Sequence, residues 1–494
     1  MPTDPMILAI DQGTTNTKAI LVDRAGAVRG MASRPVDIEF PRPAWVQQDA
    51  RCIWQSVREA VDECLEAAGS PPLAAVGVSN QRESGLAWDA VSGEPVGPVV
   101  TWQCRRSASF CEQLRSEGLE DEVRARTGLP IDPMFTGSKI RWLLSDTPDG
   151  HARAASGEIR VGTVDSWLLW CLTAGAEHRT DVSNASRTQL LNISEVRWDV
   201  LLMDRYGVPE AALPEILPSS GIFGETVALG ALPAGVPIGS LVGDSHAALF
   251  GHAGFAAGSV KATYGTGSSL MSPTAQRVDS DRGLASTIAW GLGSTVYALE
   301  GNIYVTGAAV QWMADFIGLD GPGKVAELAE SVPDTEGVYL VPAFVGLGAP
   351  HWDDSARGML TGLTRSSSLA QASRAVIESI AYQVRDVFDE MQSATGGALR
   401  VLMADGGVTR NAQLMQFQAD ILGVPVQRNN TPELSAMGAA YLAGLAVGVW
   451  SSTDDIEALP RSIDRFEPRI EATERERLYA GWKEAVARTM YRPA

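Results

Sequence analysis

The sequence predicts an α/β protein made of two similar halves, and two stretches carry the prediction. Near the start, the apolar residues 6–10 break off at Asp11-Gln12-Gly13-Thr14-Thr15-Asn16-Thr17-Lys18, and the apolar residues 19–22 follow at once. Two β-type runs joined by a Gly/Thr turn read as a hairpin. The pattern returns about 250 residues later: a β-type run at 259–264 meets Gly265-Thr266-Gly267-Ser268-Ser269, with a return strand expected over 295–300. No linker rich in Pro, Ser or charge separates the halves. The boundary is therefore expected near Gly254, giving domains 1–253 and 254–494.

The first turn suits phosphate. Gly13 lets the backbone approach a ligand, and Thr14, Thr15 and Asn16 line the turn with hydroxyl, amide and N–H donors. Asp11 at the strand end can hold a nucleotide's Mg²⁺, and Lys18 adds positive charge. An ordinary polar turn, its Asp and Thr serving the backbone, is the alternative. No GxxxxGK[ST] loop is present.

Further along, Asp49 is placed to cap a helix with Ile53, Val57, Val61 and Leu65 on one face and Gly69 at its end. A strand over 73–78 ends in Ser79-Asn80-Gln81-Arg82-Glu83, where an α/β sheet binds ligands. Arg82 and Glu83 offer a fork of donors and a pair of acceptors to a polyol hydroxyl; a surface ion pair is the alternative. A strand over 99–102 brings Trp102, which either packs on a carbon backbone or fills core. A buried strand over 236–242 delivers Asp244 to the start of a helix, where an N-cap role competes with chemistry. Gly307 opens a helix that includes Gln311. Asp405-Gly406-Gly407 and Asn411 precede another helix, on which Leu414, Phe417 and Ile421 share a face before Gly423. A Gly-Gly turn at a helix N-terminus can take a nucleotide or simply cap.

Composition sets the class. The chain has 494 residues, 45% hydrophobic and 20% charged, with net charge −19, as in a globular protein with more than one core. That charge disfavours nucleic acid and anionic membranes as partners. The five cysteines, Cys52, Cys64, Cys104, Cys111 and Cys171, form no CxxC pair, so a reduced cytoplasmic protein is expected. No signal-like leader is seen. The uncharged residues 434–450, studded with Gly and Ala, fall short of a membrane span. His246, His252 and the isolated His351 do not suggest zinc.

The turn at Gly13 resembles the phosphate hairpin of the sugar kinase, heat-shock ATPase and actin superfamily. SNQRE at 79–83 and TWQCRR at 101–106 resemble the glycerol kinases of the FGGY carbohydrate kinase family. Met134-Phe-Thr-Gly-Ser-Lys139-Ile-Arg-Trp142 matches that family's first signature. Gly358-Met-Leu-Thr-Gly362, continuing to Gln371 and Glu378, matches the second. Gly162-Thr-Val-Asp165, Asn184-Ala-Ser-Arg187 and Tyr479-Ala-Gly-Trp-Lys483 extend the likeness over nearly the whole chain.

The resemblance implies two ribonuclease-H-like domains of the actin/hexokinase superfamily around a cleft, the acceptor against the first and ATP largely against the second. It implies phosphorylation of a polyol hydroxyl by ATP with Mg²⁺, glycerol to glycerol 3-phosphate, with Asp244 as catalytic base. The acceptor side is Arg82, Glu83, Trp102, Met134, Asp244, Ser245 and Ser269. The nucleotide side is Thr14, Thr15, Asn16, Lys18, Thr266, Gly307, Gln311, Gly407 and Asn411, with Asp11 and Asp244 for the metal. Five positions depart from the glycerol kinase pattern: Asn16 and Lys18 replace Ser and Arg, and Met134, Ser245 and Ser269 replace Tyr, Gln and Phe. The last three leave a larger polyol or a ketose open as acceptor. A silent ATP-binding sugar sensor is a remote alternative, since Asp11 and Asp244 are both present. The expected partners are a small polyol and, as an option, a second copy in a homodimer, without nucleic acid or membrane insertion.

Overall fold

The computed structural model describes residues 4–280, 283–431 and 433–492. The chain divides into two units. One takes the residues up to Ala253 together with Ser286–Tyr297 and Glu433–Pro460; the other takes the rest from Gly254 onward. The division falls at Gly254 but is not contiguous, because two later segments return to the first unit.

In the first unit, strands β1 (Met6–Gln12), β2 (Asn16–Val22), β3 (Val28–Pro35), β4 (Leu73–Asn80), β5 (Ser220–Glu225) and β6 (Pro237–Gly243) form one sheet in the order β5-β6-β4-β1-β2-β3. β1 pairs antiparallel with β2 and parallel with β4, which pairs parallel with β6. The central strands are apolar runs because both faces are covered; Ile7, Leu8, Ala9 and Ile10 are all buried. β3, at one edge, alternates half-buried and exposed positions instead, with Ala32 alone fully buried.

Helix α1 (Ala50–Ala67) lies on β2 and β3. Asp49 caps it, its side chain accepting from the N–H of Arg51 at 2.8 Å. Ile53, Val57, Val61 and Leu65 are buried with Leu8, Ile10, Val76 and Val78, as their spacing predicts. The late helix Leu434–Ala446 packs on β1, β4 and β6. Glycine makes that approach possible: a Cβ on Gly77 would meet the carbonyl oxygen of Ala439 at 2.5 Å, and one on Gly239 that of Ala443 at 2.9 Å. The uncharged stretch at 434–450 is therefore a core helix and its sequel. Among the described residues, no helix is long and apolar enough to cross a membrane.

Helix α2 (Thr136–Asp146) packs against the strand Gly85–Asp89, which belongs to a separate four-stranded sheet of this unit. Helix α3 (Asp244–Gly251) starts where β6 ends.

The second unit repeats the plan. β7 (Ser259–Tyr264), β8 (Ser268–Thr274), β9 (Ser294–Ile303, within this unit from Ala298), β10 (Val401–Asp405), β11 (Val426–Asn429) and β12 (Ile463–Phe466) run in the order β9-β8-β7-β10-β11-β12. β7 pairs antiparallel with β8 and parallel with β10, and β10 pairs parallel with β11. The return strand is β8, directly after the turn, and not the expected 295–300; those residues lie within β9, beside β8. A three-residue turn closes the hairpin locally, and local closure costs the least chain entropy.

Helices α4 (Gly307–Ile317), α5 (Leu369–Thr395) and α6 (Ala412–Leu422) cover this sheet's core. α5 opens with a capping box between Ser368 and Gln371, which satisfies two backbone donors at once. Asn411 caps α6, accepting from the N–H of Leu414 at 2.9 Å, and Gly423 ends it in the left-handed conformation.

Candidate active site

In the first unit the expected residues collect at the ends of β1, β4 and β6. Asp11 faces Lys18 across the hairpin and Ser79 across the parallel pair. The Ser79 hydroxyl donates to Asp11 at 2.9 Å. Burial, and then the charge of Asp244, push the Asp11 carboxyl up to about 6, against the pull of Ser79 and Lys18. A carboxylate that raises the proton affinity of another stands close to it.

Asp244 is the first residue of α3, and the cap position belongs to Gly243. The capping alternative therefore does not describe it. Its carboxylate accepts from Arg82 Nε at 3.1 Å and from the N–H of Ser245 at 2.6 Å. Its carbonyl accepts from the Ser435 hydroxyl of the late helix at 3.0 Å. Gly243 leaves room for the Arg82 stem, since a Cβ there would come within 2.7 Å of it.

Arg82 and Glu83 are 8% and 4% exposed, so they are not the surface ion pair that the residues alone allowed. Arg82 reaches Asp244. Glu83, held at φ 61°, accepts from Arg187 Nε at 2.6 Å. A buried guanidinium is the partner such a carboxylate requires.

Trp102 lies in the turn that follows the strand Val99–Val100, not in the strand. It is 38% exposed, and its ring N–H donates to the Thr14 hydroxyl at 3.0 Å. A buried amide relay closes the circuit. Gln81 donates to Gln12 and Gln48 at 3.0 and 2.9 Å, Gln48 donates to the Thr14 carbonyl at 2.8 Å, and Ser84 joins Gln81 to the Trp102 N–H. The turn at Thr14, Thr15 and Asn16 is thus pinned to the end of β4.

Lys18 pairs with Glu433 at 2.5 Å. That partner was missed, because nothing local to either residue announces a pair 415 positions apart. Met134 precedes α2, its N–H bonded to Asp132 at 2.8 Å. Ser245 is the second residue of α3.

In the second unit the neutral residues gather around the Gly265 turn. Thr266 accepts through its carbonyl from the N–H groups of Thr306 and Ala308 at 2.9 and 3.1 Å, and Gly265 accepts from that of Gly307 at 3.0 Å. A Cβ on Gly307 would strike the Gly265 carbonyl oxygen at 2.5 Å and lie 2.9 Å from Val408. The start of α4 therefore sits against both the turn and the 407–410 segment. Gly407 opens a 3₁₀ turn that leads to Asn411. Gln311 lies one turn into α4, bonded to Asp315 at 2.8 Å. Ser269, on β8, donates to Glu300 at 3.2 Å.

Known proteins match this arrangement along its whole length. Residues 6–251 match the model of the FGGY family of carbohydrate kinases, N-terminal domain, and residues 260–447 match its C-terminal domain. A glycerol kinase of Symbiobacterium thermophilum is 49% identical over 488 residues, 98% of each chain. A crystal structure of Plasmodium falciparum glycerol kinase with ADP superposes with a TM-score of 0.95 at 31% identity, covering 99% of each chain. A xylulose kinase from Rhodospirillum rubrum superposes at 0.88 with 25% identity, covering 98% of each chain. With both family domains matched in order and the actin/hexokinase-like fold in place, this chain belongs to the FGGY family of carbohydrate kinases and is a phosphotransferase.

Proposed function

We propose that this enzyme transfers the γ-phosphoryl group of ATP to a terminal hydroxyl of glycerol, giving glycerol 3-phosphate and ADP. The observation that carries the proposal is Asp244, set at the head of α3 and oriented by Arg82. The full-length likeness to glycerol kinases supports the same acceptor.

In this scheme Arg82 donates to one hydroxyl of a vicinal diol and Glu83 accepts from the next, while the half-exposed face of Trp102 covers the carbon backbone. Asp244 takes the proton of the attacking hydroxyl as its oxygen bonds to the γ-phosphorus; the bond to the β-phosphate oxygen breaks and ADP leaves. The base and the acceptor residues other than Ser269, which lies on β8, belong to residues 1–253, joined by the late helix that supports α3. Nucleotide binding belongs to residues 254–494 through Thr266, Gly307, Gln311, Gly407 and Asn411. Thr14, Thr15 and Asn16 supply donors for phosphate oxygens. Lys18 supplies charge that Glu433 already shares.

A divalent cation fits the first unit. Asp11 is half-buried and destabilised by desolvation and the charge of Asp244, the condition that a hard cation on carboxylate oxygens relieves. Asp11 and Asp244 would hold Mg²⁺, which neutralises charge on phosphoryl oxygens when bound. The five cysteines form no disulfide, which fits a reducing cytoplasm.

A second acceptor class, a four- or five-carbon polyol or a ketose, is favoured by the short Ser245 beside Asp244 and by the unbranched Met134. ADP release decides between them, measured as kcat/KM for glycerol, erythritol, ribitol, xylitol and xylulose. Glycerol is expected to rank first. A pentose-derived acceptor more than about tenfold better, near 1.4 kcal/mol, would transfer the assignment to the larger class.

A further inference from the structure

The role of Lys139 is open. It lies in the signature stretch 134–142, on the first turn of α2, and none of the chemistry above uses it. Its side chain is completely buried. Burying an ammonium is costly unless its protons find acceptors, and desolvation pulls this one down to about 8. A methionine would fill the same space without that cost.

The ammonium meets two backbone carbonyls. It donates to Glu83 O at 2.9 Å and to Met134 O in a short contact. The Thr136 hydroxyl, three residues earlier on the same helix, donates to the Glu83 carbonyl as well, at 3.1 Å. That carbonyl belongs to a residue in the left-handed region, φ 61°, where a side chain with a Cβ is strained. The Glu83 side chain is held separately by Arg187 at 2.6 Å. Two donors therefore clamp the Glu83 backbone from the α2 side while Arg187 holds its carboxylate. Met134, the other residue fixed by the same ammonium, is the second expected acceptor neighbour.

We propose that Lys139 is a positioning residue for the acceptor: its buried ammonium, with the Thr136 hydroxyl, holds the strained Glu83 peptide and the Met134 carbonyl so that both side chains present a fixed face to the polyol. This rests on the assignment of Glu83 to the acceptor site. A purely structural lysine would affect both substrates through general loosening, whereas a positioning lysine affects one.

Steady-state kinetics of the full-length protein, with glycerol and ATP varied in turn, separate these roles. Lys139→Met is expected to raise the glycerol KM about tenfold, the worth of one charge-assisted hydrogen bond, with the ATP KM within twofold of wild type. Thr136→Val, which keeps the shape and loses the hydroxyl, is expected to raise the glycerol KM about threefold. An unchanged glycerol KM in Lys139→Met, or a parallel rise of both KM values, overturns the proposal. If Lys139→Met does not fold, Thr136→Val decides: a selective rise supports the clamp and no rise overturns it. Glu83→Ala is the control for the underlying assignment. If it leaves the glycerol KM unchanged, the acceptor site itself is misplaced and the clamp falls with it. If Glu83→Ala raises that KM and neither clamp variant does, only the clamp is wrong.

Discussion

One pair out from the Gly13 turn Asp11 stands opposite Lys18; one pair out from the Gly265 turn Thr263 stands opposite Ser269. On the parallel neighbour the order reverses. Asp11 sits beside Ser79, and Thr263 sits beside Asp405. One strand plan is used twice, yet a carboxylate and a hydroxyl have exchanged places around the turn. The first unit puts a desolvated carboxylate on the hairpin itself and sets Lys18, Ser79 and the charge of Asp244 beside it. The second sets N–H groups, hydroxyls and glycines around its turn, with Asp405 beside Thr263 and Glu300 accepting from Ser269. Repetition of the backbone therefore does not repeat the chemistry. In the proposed scheme the charge that acts on a proton lies in the first copy, and the close packing around the nucleotide in the second.

The most direct way to break this comparison is to remove the charge from the first unit. Asp244→Asn should keep the fold and ATP binding and lower kcat by about 10²–10⁴. Rapid-quench or coupled turnover beside ATP titration measures both; turnover near wild type would remove Asp244 as the base and, with it, the division of labour. In the second unit the matching change is one of shape. Gly307→Ala forces a methyl to within 2.5 Å of the Gly265 carbonyl. Overpacking of this kind costs about 1–3 kcal/mol, so the ATP KM should rise roughly tenfold or more while the glycerol KM stays close to wild type. A change in the glycerol KM alone would show the two copies to be less separate than described.

The smallest effect is on pH dependence, and here the units are expected to behave alike. Each holds a buried carboxyl outside the site. Burial, and then Asp181, raise Asp165 to about 7, and burial raises Glu378 to about 7 against its partner Arg374. A raised carboxyl binds its proton more tightly in the folded chain. Its contribution is intact below the unfolded pKa and is lost as pH rises towards 7, so stability falls with rising pH over that window. Asp165→Asn and Glu378→Gln should each flatten the fall between about pH 4 and 7 in a series of thermal melts. A steeper fall in either variant would reverse the sign.

Much of the site was legible because it is local. The turn at Gly13, the cap at Asp49, the strand leading to Asp244 and the helix that follows Asn411 each depend on neighbours within a few residues, and all stand where the sequence placed them. What was not legible depends on distance or burial. Arg82 and Glu83 read more readily as a surface pair until Asp244 and Arg187 arrive from 162 and 104 positions away. The amide relay through Gln12, Gln48 and Gln81 leaves no periodic trace, since each glutamine lies in a different element. The return of residues 433–460 to the first unit is equally silent. A Gly- and Ala-rich helix announces that something will approach it closely, but not what.

That returning helix also governs when the first unit can be completed during synthesis. Every strand of its sheet has left the ribosome soon after Gly243, yet the helix Leu434–Ala446, which fills the contacts at Gly77 and Gly239 and bonds the Asp244 carbonyl, follows only about 10–40 s later at ordinary elongation rates. Until then the sheet is bare on the face that Gly77 and Gly239 keep open for the helix, and α3 lacks the Ser435 bond. A nascent chain that stops short of this helix therefore carries the expected acceptor residues without the Ser435 bond to Asp244, the proposed base.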